Sequence, residues 1–283
     1  MGLYPQPNRW QCGPFALKHA LVTLGIFAPE GLITEIAGTD PGEGTDERQL
    51  RKAARRFHCD LTPIRRHQPE LARGELLRHL RRGHPCLLCV REWAHWVTVV
   101  KAEAGKFIVL DSEDSAVLTI YSWRQLRAIW VYHERDEHDK RYVATIYDLY
   151  PVIPRVRVRT RARFSLARAR YLRKREHRRL AEHWDDYLAD LLAICRPRTA
   201  LSERVVSMGE FFRRYQTMIL DQVDFWHGDV KRDAAERVLR DMHFVADTYG
   251  LVIHARDEKR ALVGIGVILA LWAAAQEEVE PFY

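Results

Sequence analysis

The sequence predicts an α+β domain with an antiparallel sheet over residues 1–150, followed by an Arg-rich connector and an all-α helical domain over 151–283. Three observations carry this. Short runs rich in β-branched and aromatic residues recur between 85 and 150, bounded by turn residues. After about residue 160 the apolar period becomes that of a helix. At 47% hydrophobic and 10% aromatic, the 283-residue chain has material for a packed core, which excludes a disordered or fibrous protein.

In the first domain, 12–25 reads as a helix with Phe15, Leu17, Leu21 and Leu24 apolar and Gly25 as its stop. Residues 45–57 form a charged surface helix started by Thr45-Asp46-Glu47-Arg48, and 69–82 a third closed by Gly83. Four strands are expected at 85–90, 95–101, 106–111 and 116–121. The middle two are joined by a short Gly-containing connection. Residues 128–133 and 142–150 extend the sheet.

In the second domain, Leu180, Trp184, Tyr187, Leu188, Leu191, Leu192 and Cys195 fall on one helical stripe ended by Pro197. Residues 200–226, 230–249 and 259–276 give three more helices, broken at Gly228 and Gly250. The uncharged run 261–275 is too short for a membrane span, so no transmembrane segment is expected. The N-terminus has neither the basic start and apolar run of a secretory signal nor a myristoylation pattern. Five scattered cysteines argue against a disulfide framework and for a reducing, cytoplasmic setting.

The formal net charge of +7 comes from 45 Lys+Arg against 38 Asp+Glu. The excess is local: residues 155–182 hold twelve basic and two acidic side chains, and the remainder is near neutral. Such a body does not fit a protein that coats nucleic acid. Arg155, Arg157, Arg159, Arg161 and Arg163 alternate with small or apolar residues, which on an extended strand places five guanidiniums on one face. The plainer reading is a solvated face neutralised by acidic residues; the alternative is docking of an anionic partner, whether nucleic acid, acidic protein or lipid surface.

One constellation carries chemistry. In Gln6-Pro-Asn-Arg-Trp-Gln-Cys12-Gly-Pro, Cys12 stands where a helix begins. The free N–H groups and positive dipole end there favour a thiolate. Gly13 permits a close approach of another segment, and Pro14 suits a first turn. His95 opens an apolar strand, and Asp111 ends the following one. In an antiparallel pair these positions are adjacent, so Asp111 can reach the His95 ring.

On these residues the chain resembles papain-like cysteine peptidases, most nearly the C39 and C39-like family that processes bacteriocin leaders. In that family a Gln lies six positions before a Cys-Gly at a helix start, a later His begins a strand, and an Asp ends the next. Gln6, Cys12, His95 and Asp111 occupy those places, and the resemblance covers about residues 1–130. It implies a papain-like fold and acyl transfer through a thioester. Cys12 would attack the carbonyl, His95 shuttle the proton and Asp111 fix the imidazole. The Gln6 amide and Cys12 N–H would bind the oxyanion. No metal or cofactor is expected.

Two positions depart from the family pattern: Gln11 where Asp is frequent, and Ser112 where Pro usually follows the Asp. Trp10, Gly13 and Trp96 are candidate substrate-binding residues, since aromatic walls are common in clefts. Cys86 and Cys89, three apart on a strand, point to opposite faces and read as core thiols. The acidic run from His133 to Asp139, and the Asp224/His227 and His243/Asp247 pairs, read as solvated or surface groups rather than metal sites. The expected function is therefore a cysteine peptidase or amidase acting on a peptide or isopeptide bond of a peptide or protein substrate. The alternatives are an acyltransferase with an amine acceptor and a non-catalytic C39-like peptide-binding module.

Overall fold

The computed structural model describes residues 3, 5–114, 117–135, 143–156, 160–195, 204–226 and 230–276. The chain divides into two compact units, 1–157 with 164–175 and 158–163 with 176–283. In the first, the elements in order are α1 (Cys12–Thr23), α2 (Glu30–Ala37), α3 (Glu47–Arg56), β1 (Cys59–Leu61), β2 (Ile64–Arg66), α4 (Pro69–Arg81), β3 (Cys86–Val90), β4 (His95–Glu103), β5 (Lys106–Leu110), β6 (Leu118–Ser122), α5 (Trp123–Trp130), β7 (Tyr132–Arg135), β8 (Val143–Pro154) and α6 (Leu166–Leu172).

The strands form an antiparallel sheet in the order β1-β8-β3-β4-β5-β6, with β2 and β7 also paired to β8. Both faces are covered, which is why the central strands read as unbroken apolar runs instead of alternating ones. Leu87, Cys89 and Trp96 pack beneath α1, α2 and α3. Cys86, Leu88, Val90, Val97 and Val99 pack against Leu76 and Leu80 of α4 and Leu126 and Trp130 of α5. The period of two thus sends the two CxxC thiols into different cores, as their spacing requires. All five cysteines are free and buried.

Every residue of α1 is buried. Its lysine, Lys18, is accommodated by Glu30 of α2, 3.5 Å from the ammonium, and by the Phe15 ring at 5.2 Å. The charged surface helix α3 starts where expected: Asp46 accepts from the Gln49 N–H and Gln49 returns a bond to the Asp46 N–H, a capping box. Residues 128–130, expected in the sheet, instead end α5. Ser122 and Gln125 form a second capping box there, and Leu126 and Trp130, one turn apart, bury against the sheet. The strand resumes only at Tyr132. Helix α2 and strands β1 and β2 span only eight, three and three residues, too few for a period to mark them.

The second unit contains α7 (Arg178–Glu182), α8 (Trp184–Cys195), β9 (Val205–Ser207), α9 (Met208–Trp226), α10 (Arg232–Tyr249), β10 (Val252–His254) and α11 (Glu258–Gln276). The stripe from Leu180 to Cys195 is buried throughout, although the helix is broken at His183. Residues 205–207, expected as helix, pair with β10; residues 200–203 lie outside the described residues. Gly250 is left-handed (φ 61°), and a Cβ there would stand 2.1 Å from the Arg161 carbonyl, so glycine is required. No helix among the described residues is long and apolar enough to cross a membrane.

Among the described residues of the five-arginine stretch no strand is present beyond Pro154. Arg157 and Arg159 lie outside the described residues, residues 160–165 are irregular, and Arg155 is taken by Asp60 on β1.

Candidate active site

A single 3-10 turn at Arg9–Gln11 delivers the chain into α1, so Cys12 is the first α-helical residue. Gly13 is explained by packing: a Cβ there would lie 2.8 Å from Cβ of Thr45 and 3.4 Å from Leu50 Cδ2. The segment that approaches Gly13 is therefore the chain's own turn before α3, and Gly13, expected at the substrate, is a buried contact that fixes the register of α1. Pro14 costs nothing there, because first-turn N–H groups have no intrahelical acceptor.

His95 opens β4 and Asp111 immediately follows β5; the antiparallel pairing of these strands sets them side by side. His95 Nε2 donates to Asp111 Oδ1 at 2.6 Å, with both side chains buried. The ring also hydrogen-bonds the Cys12 thiol, and since Nε2 is engaged by Asp111, Nδ1 is the nitrogen left for sulfur. Burial penalises the imidazolium, but the bonds to Asp111 and Cys12 outweigh it and raise the His95 pKa to about 9. Three groups from three separate elements thus form one chain of hydrogen bonds: thiol, imidazole, carboxylate.

Asp111 is further held by the Glu113 N–H at 3.0 Å on Oδ1 and by Arg91 Nη2 at 3.4 Å from Oδ2. Arg91 also pairs with Glu113. It belongs to the turn joining β3 to β4, where Arg91, Glu92 and Trp93 all have positive φ (57°, 55° and 64°). For residues with a Cβ this costs on the order of 1–2 kcal/mol each. The turn is held in place by its side chains. Glu92 accepts from the N–H and the ring of His133, and Trp93 stacks on Tyr132 at 3.7 Å with Arg65 over its ring. Cys89 donates to the Trp93 carbonyl and accepts from the His95 N–H. Nothing in a run of Arg, Glu and Trp marks a left-handed turn, so neither Arg91 nor Cys89 was legible as part of this site.

Gln6 is bound to the segment following Asp111. Its N–H donates to the Ser112 carbonyl at 2.8 Å, and its Oε1 accepts from the Ser112 hydroxyl at 2.6 Å. Gln6 Nε2 donates to the carbonyls of Asn8 (2.9 Å) and Arg9 (3.4 Å). A proline at 112 would lack that hydroxyl. Trp96, expected at the substrate, is instead a core residue: 7% exposed, its indole N–H on the Thr45 carbonyl and its ring against Tyr150. Trp10 is half-buried in the turn just before Cys12.

The other cysteines are a different chemical environment. Burial pushes the Cys59 thiol up to about 12 and those of Cys86, Cys89 and Cys195 higher still. Among the described residues, no three His, Cys, Asp or Glu side chains converge to hold a metal ion. Residues 136–139 and His227 lie outside the described residues; Asp224 pairs with Arg232, and His243 lies 3.7 Å from Asp247.

No family model matches the chain, and no curated protein matches it. Solved structures do. The peptidase domain of Streptococcus ComA, a bifunctional ABC transporter of a quorum-sensing pathway, is 17% identical, with a TM-score of 0.40 over 54% of this chain and 98% of that one. A double-glycine-motif protease from an AMS/PCAT transporter, solved with its leader peptide, is 15% identical, with a TM-score of 0.38 over 53% of this chain and 90% of that one. The peptidase domain of Streptococcus mutans ComA gives 17%, 0.35, 52% and 98% for the same quantities.

Proposed function

We propose that this chain is a papain-like cysteine peptidase of the C39-like kind, cleaving a peptide or isopeptide bond through a thioester on Cys12. The observation that carries this reading is the hydrogen-bonded series Cys12–His95–Asp111. A nucleophile, a base within reach and a third group orienting the base are what covalent acyl transfer needs. With Asp111 holding Nε2, the ring presents Nδ1 to the thiol; a His95 charged up to about pH 9 supports a thiolate–imidazolium pair at neutral pH.

In this mechanism Cys12 Sγ attacks the carbonyl carbon and His95 passes its proton to the leaving nitrogen. Water, deprotonated by His95, then hydrolyses the thioester. The oxyanion would be met by the Cys12 N–H at the start of α1 and by Gln6. Gln6 is oriented by Ser112, which binds its oxygen and leaves its NH₂ to donate. Exchanging the long 3.4 Å bond to Arg9 for the oxyanion would supply the second donor. Losing one such donor typically costs about 10²–10³ in rate. An intact nucleophile and base argue against the non-catalytic binding module.

The test is covalent. A peptide aldehyde or E-64 should add once to the full chain, with the adduct on Cys12, and adduct formation should disappear in Cys12→Ala and fall steeply in His95→Asn. A folded protein that takes no adduct, or takes it equally on the other cysteines, overturns the reading. Peptides or proteins retained by Cys12→Ala but not by wild type would then give the substrate.

A further inference from the structure

The turn that delivers His95 also sets a guanidinium beside Asp111. Resting on the peptidase reading above, we propose that Arg91 is a positioning residue of the His95–Asp111 pair. From its left-handed turn the guanidinium holds Asp111 Oδ2, leaves Oδ1 to the imidazole and offsets part of the carboxylate's charge. Arg91 Nη2 lies 3.4 Å from Oδ2, while His95 and the Glu113 N–H share Oδ1.

The backbone shows that this placement is imposed. Three consecutive residues with a Cβ at positive φ persist only where the surroundings over-determine them, and here each is tied down by a different partner. Arg91 is tied to Asp111 and Glu113, Glu92 to His133, and Trp93 to Tyr132. The Arg91 N–H donates to the Ile129 carbonyl at 2.6 Å, so the backbone at Arg91 is anchored to the end of α5 as well. A hairpin of ordinary turn residues would connect β3 to β4 without strain. It would not offer a cation to the buried carboxylate that holds the histidine.

The titratable groups facing His95 are Cys12 from α1, Asp111 after β5 and Cys89 from β3. Arg91 and Glu113 stand behind Asp111, and His19 of α1 lies within its field. Among the described residues Arg91 is the one Arg or Lys paired with the Asp111 carboxylate, so removing it should strengthen the hold of Asp111 on the imidazolium.

The experiment is the pH dependence of Cys12 alkylation by iodoacetamide in the full chain, with thermal midpoints measured in parallel. Arg91→Gly removes the guanidinium and its two ion pairs while relieving the positive φ, so the two effects oppose and its midpoint should stay close to wild type. Its basic limb should nevertheless move up by about half a pH unit, the size expected of one nearby, partly countered charge. Arg91→Gln, neutral but of similar reach, should move the limb the same way even if the glycine variant folds poorly, and Arg91→Lys should return it towards wild type. A purely structural role would change the midpoint and leave the limb alone. Limbs unchanged or shifted downward in both neutral variants overturn the inference while leaving the peptidase reading standing. A wild-type Cys12 that reacts no faster than in His95→Asn overturns that reading and this inference with it.

Discussion

Replacing Asp111 with Asn removes the charge while keeping the shape at the point where electrostatics in the site is largest. Burial alone would pull the His95 pKa below its ordinary 6.5, yet the bonds to Asp111 and Cys12 hold it at about 9. That rise corresponds to roughly 3 kcal/mol in favour of the charged ring. Without the carboxylate, the pKa should return to 6.5 or lower. At pH 8 a ring of pKa 9 is about 90% protonated and one of 6.5 about 3%, so the imidazolium available to pair with a thiolate falls about thirtyfold. The assay is the second-order rate of Cys12 alkylation from pH 5 to 10. The wild-type basic limb is expected near 9, and that of Asp111→Asn below about 6.5, both being properties of the coupled Cys12–His95 pair. Stability should follow the same linkage. A base whose folded pKa is raised contributes fully below its unfolded value, and the contribution is lost as pH rises through the folded one. The midpoint gap between wild type and variant should therefore be widest below pH 6.5 and shrink towards pH 9. A folded variant whose limb stays near 9 would show that Asp111 does not set the charge of the ring.

Two further substitutions probe the helix that carries the sulfur. Gly13→Ala would push a methyl group to 2.8 Å from Thr45 Cβ, so α1 or the turn must give way; a loss of about 1–3 kcal/mol is expected in chemical denaturation, with slower Cys12 alkylation. A variant as stable and reactive as wild type would show that the contact is not tight. His19, wholly buried on α1, has neither ring nitrogen hydrogen-bonded among the described residues. Burial, then the Lys18 charge, depress its pKa to about 3 despite the opposing influence of Asp111. The ring is therefore neutral when folded. Stability is complete above pH 6.5, where the unfolded ring is neutral too, and is lost as pH falls from there towards 3. His19→Leu should flatten the thermal midpoint between pH 6.5 and 4 while costing little at pH 7; an equally steep acid decline in the variant would count against this account.

The apolar stripe from Leu180 to Cys195 was readable because one helical face must be buried whatever packs against it. The opposite faces of Cys86 and Cys89 followed from the strand period alone. Residues 128–130 misled because their local composition suits a strand, whereas the Ser122–Gln125 capping box starts a helix that carries them along. Trp96 and Gly13, both buried in the chain's own interior, show a different limit. An aromatic beside a histidine and a glycine beside a cysteine look the same in sequence whether they face a ligand or the chain's own interior.

By itself, then, the order of residues determined which chemical groups were available and roughly where. It put a thiol at a helix start, an imidazole at a strand start and a carboxylate at the end of the next strand, positions fixed by local periodicity and termination signals. Tertiary structure alone decided that sulfur meets imidazole, since α1 and β4 are separated by more than seventy residues and are joined only by packing across a shared core. It alone decided the environment that sets the charge of His95, because desolvation and Coulomb interaction depend on distance in space and not along the chain. The left-handed turn that brings Arg91 onto Asp111 belongs to the same class. Its conformation is unfavourable locally and exists because contacts with Asp111, Glu113, His133 and Tyr132 outweigh the strain.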